Sequence, residues 1–234
     1  LRGGAYCARL RCMEQTAPRI RMRDDGEIKT SFTGVFAPEA RDADGRAVEI
    51  DWFSDEIQPV LVLDGVAHPL GVFLPATPRE TVTEGRKSVS VEAYDRGWLV
   101  RDNRTTDMPY WAAGTRYLDA VEQLLTASGI KAVFKTPSTA ELSEDREDWE
   151  IGTSYLEIVN TLLREINYNE LWFDASGAAI LEPASTPTVG NIEHTFDADD
   201  VESLIVPQVS RETDVYSAPN VFLCLCSNPD KSAV

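Results

Sequence analysis

The stretch that most constrains this chain runs from residue 114 to residue 182. It opens on Gly114-Thr115-Arg116-Tyr117-Leu118-Asp119-Ala120-Val121-Glu122-Gln123-Leu124-Leu125, where Tyr117, Leu118, Val121, Leu124 and Leu125 recur at three- and four-residue intervals. That is the period of one helix face. Gly129 stands where a left-handed C-terminal cap belongs, because a residue without Cβ takes positive φ cheaply, so the helix is predicted to stop there. Ser154-Tyr155-Leu156-Glu157 has the form of a capping box, in which hydroxyl and carboxylate satisfy orphan amides at a helix start. Leu156, Val159, Leu162, Leu163 and Ile166 supply the buried stripe of this second helix. Asn167 to Asn169 break the pattern, and Leu171 to Leu181 reads as two strands joined by a turn ending on Gly177. Helix, short strand, helix and hairpin can cover one another's apolar faces, which predicts a compact α+β module.

Before this module the pattern is that of strands. Ile20 and Met22 alternate with Arg19, Arg21 and Arg23, Asp24-Asp25-Gly26 supplies a turn, and Glu27 to Phe36 continues the strand text. Val48 to Phe53 alternates again, and Pro59 to Leu63 leads through Asp64-Gly65, a hairpin signal, towards a late return strand at Pro69 to Leu74. Ser88 to Tyr94 alternates with Val89, Val91 and Ala93 on one face. Residues 1 to 17 read as loosely held and Pro38 to Gly45 as a loop. These runs predict a small all-β domain to about residue 100, a barrel or closed sandwich that protects its strand edges. Arg101 to Pro109 is a polar junction. After Pro183 a linker marked by Pro187 and Gly190 leads to short strand candidates, Ser203 to Val206 and Val221 to Cys226, which read as the start of another β unit. The class is therefore α+β.

With 43% hydrophobic residues, the 234-residue chain has enough apolar matter for a real core. Its 22 Lys and Arg against 39 Asp and Glu leave a net charge of −17, which argues against sequence-reading nucleic-acid binding, since that needs basic surface to displace counterions. No window approaches the ~20 apolar residues that cross a bilayer, and the chain opens on Leu1 with no charged-then-apolar leader, so no membrane insertion is expected.

Residue types that carry chemistry are sparse. Cys7 and Cys12 are four residues apart by intervening count and Cys224 and Cys226 only one, a poor match to structural zinc, so all four cysteines read as packing residues. His68 and His194 sit in no metal-binding spacing, and no phosphate loop, dinucleotide fingerprint or nucleophile elbow is present. Thr136 to Glu150 carries Glu141, Glu144, Asp145, Glu147, Asp148 and Glu150, yet lacks the central Gly of a calcium loop and reads as a solvated face. Trp52, Trp98 and Trp172 lie in apolar text and read as core; Trp149, within the acidic run, is the one candidate contact residue. No catalytic, cofactor-binding or metal-ligating residue is assigned, and no cofactor is expected.

Several stretches resemble one known family. Asp51-Trp52-Phe53-Ser54-Asp55, Pro59-Val60-Leu61-Val62, Gly71-Val72-Phe73, Val89 to Asp95 and Ala113-Gly114-Thr115 are similar to the central baseplate hub, or tail-tube initiator, proteins of tailed bacteriophages and prophages. Asp148 to Thr153 and Asn169 to Asp174 extend the resemblance into the α+β module. It implies a tube-forming β-barrel over about residues 1–108, an inserted α+β domain of two helices and a short sheet over 109–190, and the beginning of a second barrel over 191–234. It also implies a non-catalytic virion structural protein of the tail, assembled in the host bacterial cytoplasm. Partners would be other tail and baseplate proteins and further copies of the chain, a homotrimer if the second barrel is completed. Ring formation would rest on apolar and strand-edge contacts, and acidic residues lining a bore would repel DNA phosphates. The competing expectations are a tail-tip cell-wall hydrolase fragment and a carbohydrate-binding module using Trp149 and the acidic run.

Overall fold

A computed structural model describes residues 1–13, 17–147, 149–186, 188 and 190. Residues 1–185 form one compact unit and 186–234 a second, nearly all of which lies outside the described residues. The second β domain expected from the sequence, with His194, Cys224 and Cys226, falls outside the described residues.

The first unit begins with strands β1 (Arg19–Met22), β2 (Thr30–Phe36), β3 (Ala40–Arg41), β4 (Ala47–Val48), β5 (Val60–Leu63), β6 (Val66–Pro69), β7 (Phe73–Pro75), β8 (Arg79–Thr83) and β9 (Arg86–Asp95). β1, β2, β9 and β7 are neighbours in one antiparallel sheet, and β8 also pairs with β9. Alternation decides which face is covered: Phe32 and Phe36 on β2 meet Val89, Val91 and Ala93 on β9, with Phe73 from β7. Phe32 stacks on Phe36 at a centroid distance of 6.1 Å and lies tilted against Phe73 at 5.5 Å. Gly34 sits beneath these rings; a Cβ there would come within 2.9 Å of the Phe36 ring.

The order β1-β2-β9-β7 is an open path, and no closed barrel is formed among the described residues. Three local expectations need correction. Residues 1–13 are not loose: Arg9 pairs with Arg41, Cys12 pairs with Phe36, and Arg2 grips the buried Asp55 carboxylate through two bonds of 2.8 and 2.7 Å. The alternating Val48 to Phe53 is not a continuous strand: only Val48 belongs to one, and the text runs into a turn at Trp52 and Phe53, where the Asp51 carboxylate accepts from Phe53 N and Ser54 Oγ and bends the chain locally. The Asp64-Gly65 hairpin returns at once, with Val66 opposite Leu63, since both turn residues take positive φ (49° and 78°) as a two-residue primed turn requires.

β9 ends at Asp95, and helix α1 (Gly97–Asp102), unannounced in the sequence, leads into the module. Helices α2 (Tyr117–Ala127) and α3 (Tyr155–Glu165) form where the spacing placed them. Gly129 takes φ 81° after α2, and Ile130 N donates to Leu125 O, as a left-handed cap demands. Ser154 Oγ accepts from Leu156 N at the start of α3, an N-cap bond to the second helical residue rather than the third-residue bond of the expected capping box. Strands β10 (Val133–Lys135), β12 (Ala179–Leu181) and β11 (Trp172–Phe173) lie in that order, β10 parallel and β11 antiparallel to β12. Leu124 and Leu125 from α2 and Ile158, Leu162 and Leu163 from α3 are buried against Leu181 and Ala179 of this sheet, and Val100 from α1 completes the core.

Candidate assembly surface

The sheet and the module keep separate apolar cores, with Ile28 from just before β2 packed on that of the module, and charged groups tie the two together. Lys29 Nζ lies 2.7 Å from Glu170 Oε2 and also donates to Asp24 O; the Lys29 ammonium holds the Glu170 carboxyl below its ordinary range. Arg96 grips Glu56 through two 2.8 Å bonds and gives a third of 2.8 Å to Gly177 O in the β11–β12 turn. Gly177 packs against the sheet: at φ 80°, a Cβ on it would stand 2.8 Å from Val72 Cβ. Asp95, at the end of β9, is buried; its carboxylate accepts from Thr30 N at 2.7 Å and Gly97 N at 2.9 Å. Burial pushes its pKa up to about 6, against the opposing pull of those two amides. Beside this joint lies a cleft of about 1290 Å³ walled by Ile20, Leu70 and Phe73 on one side and Trp172 and Asp174 on the other.

Single apolar side chains such as Phe53 and Ile151 are exposed elsewhere, but on the β5–β6 hairpin a whole run of them is left uncovered by the unit. Val60, Leu61, Val62, Leu63 and Val66 are each 45–57% exposed, and Leu70 at its base is 36% exposed. Every residue of both strands is exposed, so the ribbon is bare on its two faces. Its root is fixed: Leu70 N donates to Pro59 O, and Ile57 and Phe73 exchange reciprocal 2.8 Å bonds. A two-stranded ribbon is only marginally stable by itself in water, and a row of bare Val and Leu side chains marks a contact surface. Sequence reading placed this segment in a protected strand; the continuous apolar run carried no sign that both faces would be left open.

The candidates singled out from sequence do not converge on a site. His68 is exposed on β6, Cys7 is half-buried and Cys12 exposed, and among the described residues no group of three or more His, Cys, Asp or Glu is placed to hold a metal ion. Trp111 is buried, with Nε1 donating to Gln123 Oε1 at 3.0 Å. Trp98 stacks on Tyr94 at 4.5 Å and carries the Arg101 guanidinium 3.8 Å from its ring centre. Trp52 packs on the phenylalanine core, and Trp172 is 36% exposed at the cleft. Trp149 is not a free contact residue: it packs against the module core with its Nε1 buried and unpaired. The acidic run has exposed carboxylates as expected, but its backbone is pinned antiparallel to residues 111–117 by Trp111–Arg146 bonds of 3.0 and 2.8 Å. Asp148 lies outside the described residues. Among those described, no helix is long and apolar enough to cross a membrane.

Solved structures share this architecture. A tail protein from Neisseria meningitidis MC58 superposes with a TM-score of 0.50 at 18% identity, over 68% of this chain and 44% of that one. The 43 kDa tail protein of prophage MuSo2 from Shewanella oneidensis gives a TM-score of 0.51 at 16% identity, over 74% of this chain and 52% of that one. This chain thus spans about half the length of each, and at these identities the likeness is one of fold. The fold resemblance to tail proteins expected from the sequence is present. No family model matches the chain, and no curated protein matches it by sequence.

Proposed function

We propose that this chain is a structural, non-catalytic component of a phage or prophage tail, of the baseplate hub or tail-tube initiator kind, and that it acts by binding further copies of itself. The observation that carries this reading is the bare β5–β6 hairpin on a fold shared with tail proteins. A ribbon with apolar side chains on both faces gains from being covered, at ~25 cal/mol for each Å² of apolar surface removed from water. In this reading the sheet of residues 1–108 is tube-forming, residues 109–190 are the inserted domain, and a homotrimer requires a second β domain completed from residue 191 onward. The virion tail is the final location, and assembly takes place in the host bacterial cytoplasm.

The test is sedimentation velocity over a concentration series, on the chain and on Leu61→Ser with Leu63→Ser. The proposal expects a concentration-dependent oligomer that the double variant weakens at least about tenfold in Kd, the scale of truncating central contact residues. A chain that sediments as a monomer throughout, or a variant that associates like the parent, contradicts it.

A further inference from the structure

The face of the large sheet that points away from its phenylalanine core differs in charge from the rest of the molecule. Its charged positions on β1, β8 and β9 are Arg19, Arg21, Arg79, Arg86 and Glu92, interspersed with Ser and Thr. The pairing register sets them on one surface: Arg21 lies opposite Ser31, which lies opposite Tyr94, and Arg19 opposite Thr33, which lies opposite Glu92. Four guanidinium groups against one carboxylate make this face cationic in a chain whose net charge is −17. Elsewhere Arg2, Arg23, Arg41, Arg46, Arg96 and Arg164 each meet a carboxylate. The four on the sheet face are exposed, and among the described residues their side chains have no ion-pair or hydrogen-bond partner. With carboxylates so abundant, a set of unpaired arginines held on one rigid face is a surface awaiting an acidic complement.

The same chain carries that complement. Glu141, Glu144, Glu147 and Glu150 are exposed, and among the described residues their side chains have no partner. They are not on a loose loop. Leu142 is buried and exchanges backbone bonds of 2.8 and 2.9 Å with Gly114 and Thr115, and the Asp145 carboxylate accepts from Ala113 N at 2.8 Å. Two different patches that complement each other without meeting within one copy describe a head-to-tail contact, which closes into a ring or continues as a stack. Nucleic acid suits the arginine face less well, because the acidic remainder of the molecule repels phosphate.

We infer that the arginine face of the β1–β2–β9–β8 sheet docks on the 141–150 acidic ridge of a second copy of this chain. The inference rests on the assembly reading above and adds to it the electrostatic half of the contact. It also means that this face is not a phosphate-repelling wall of a bore.

Charge reversal tests it. Arg19→Glu with Arg21→Glu, and separately Glu144→Lys with Glu147→Lys, are compared with the parent by sedimentation velocity at about 50 mM and about 500 mM salt, where screening lengths differ several-fold. Parent association should weaken at least about tenfold in Kd at the higher salt, and each reversed variant alone should lose at least as much. Mixing the two variants should restore binding, which also shows that both are folded. Variants that associate like the parent overturn this docking and leave the hairpin reading standing. Loss in both variants without restoration on mixing shows that the two patches do not face each other and overturns it too. A parent that never associates overturns both readings. If the arginine variant instead loses affinity only for an added DNA duplex, the face serves nucleic acid and the inference is wrong.

Discussion

The α2–α3 core and the β5–β6 hairpin both carry Leu and Val side chains, in opposite surroundings. Leu125, Ile158, Leu162 and Leu163 are wholly buried, whereas Leu61, Val62, Leu63 and Val66 are about half exposed. The reason is geometric. A helix turns its apolar stripe to one side, where a neighbouring helix or sheet can cover it. A two-stranded ribbon with apolar residues at consecutive positions presents them on both sides, and no layer of this unit lies over either. The comparison separates apolar residues that hold the fold from apolar residues left for a partner.

The largest expected effect is on the covered side. Leu162→Ala on α3 should cost about 2–5 kcal/mol, the range for emptying a packed Leu site, and lower the urea midpoint without altering the slope. A cost below about 1 kcal/mol would break the contrast, because it would put a core position on the surface scale. Next is the buried polar group at the joint between sheet and module. A carboxyl with a higher pKa folded than unfolded binds its proton more tightly in the native state. The Asp95 contribution is therefore fully present below its ordinary value of 3.8 and is lost as pH rises through about 6. That corresponds to roughly 3 kcal/mol, at about 1.36 kcal/mol for each pH unit between the two values. Urea midpoints of the parent and of Asp95→Asn, followed from about pH 4 to about pH 6.5, check it. The fall with pH should be smaller in the variant; equal slopes would show that Asp95 ionises normally.

Gly177→Ala sharpens the comparison at the point where the module touches the sheet. Its φ of 80° and the 2.8 Å approach to Val72 Cβ should together cost at least about 1–2 kcal/mol, read as a lowered melting temperature. An unchanged melting temperature would mean that the turn and Val72 do not meet. The smallest effect on stability belongs to the hairpin. Leu61→Ser with Leu63→Ser should change unfolding of the monomer by no more than about 0.5 kcal/mol, as at surface positions, while association falls.

The legibility of these regions in the sequence follows the range of the interactions that build them. α2, α3 and their caps were readable because period, Ser154 and Gly129 are local signals that act within one or two turns. The β9 face was readable from strict alternation at Val89, Val91 and Ala93. α1 was not, because six residues give too little period to register. The Val48 to Phe53 text misled because its alternation mimics a strand, while Asp51 and Asp55 side chains turn the backbone. The parallel pairing of β10 with β12 joins residues more than forty apart and leaves no local trace. The first strand and the Asp64-Gly65 turn of the hairpin were legible, but neither its immediate return at Val66 nor its nakedness was, since Val60 to Leu63 reads the same whether covered or bare. The arginine alternation of β1 was visible, but the face it shares with Arg79 and Arg86 exists only once β8 and β9 are in register.

Hydrogen exchange of the 59–70 segment as a function of protein concentration addresses the central claim most directly, that this ribbon is covered by another copy and not by its own unit. The account predicts rapid exchange in dilute solution and marked protection where the chain associates, with the α2 and α3 amides protected alike at both concentrations. A 59–70 segment that is equally protected at every concentration, or that stays open in the associated form, would contradict it.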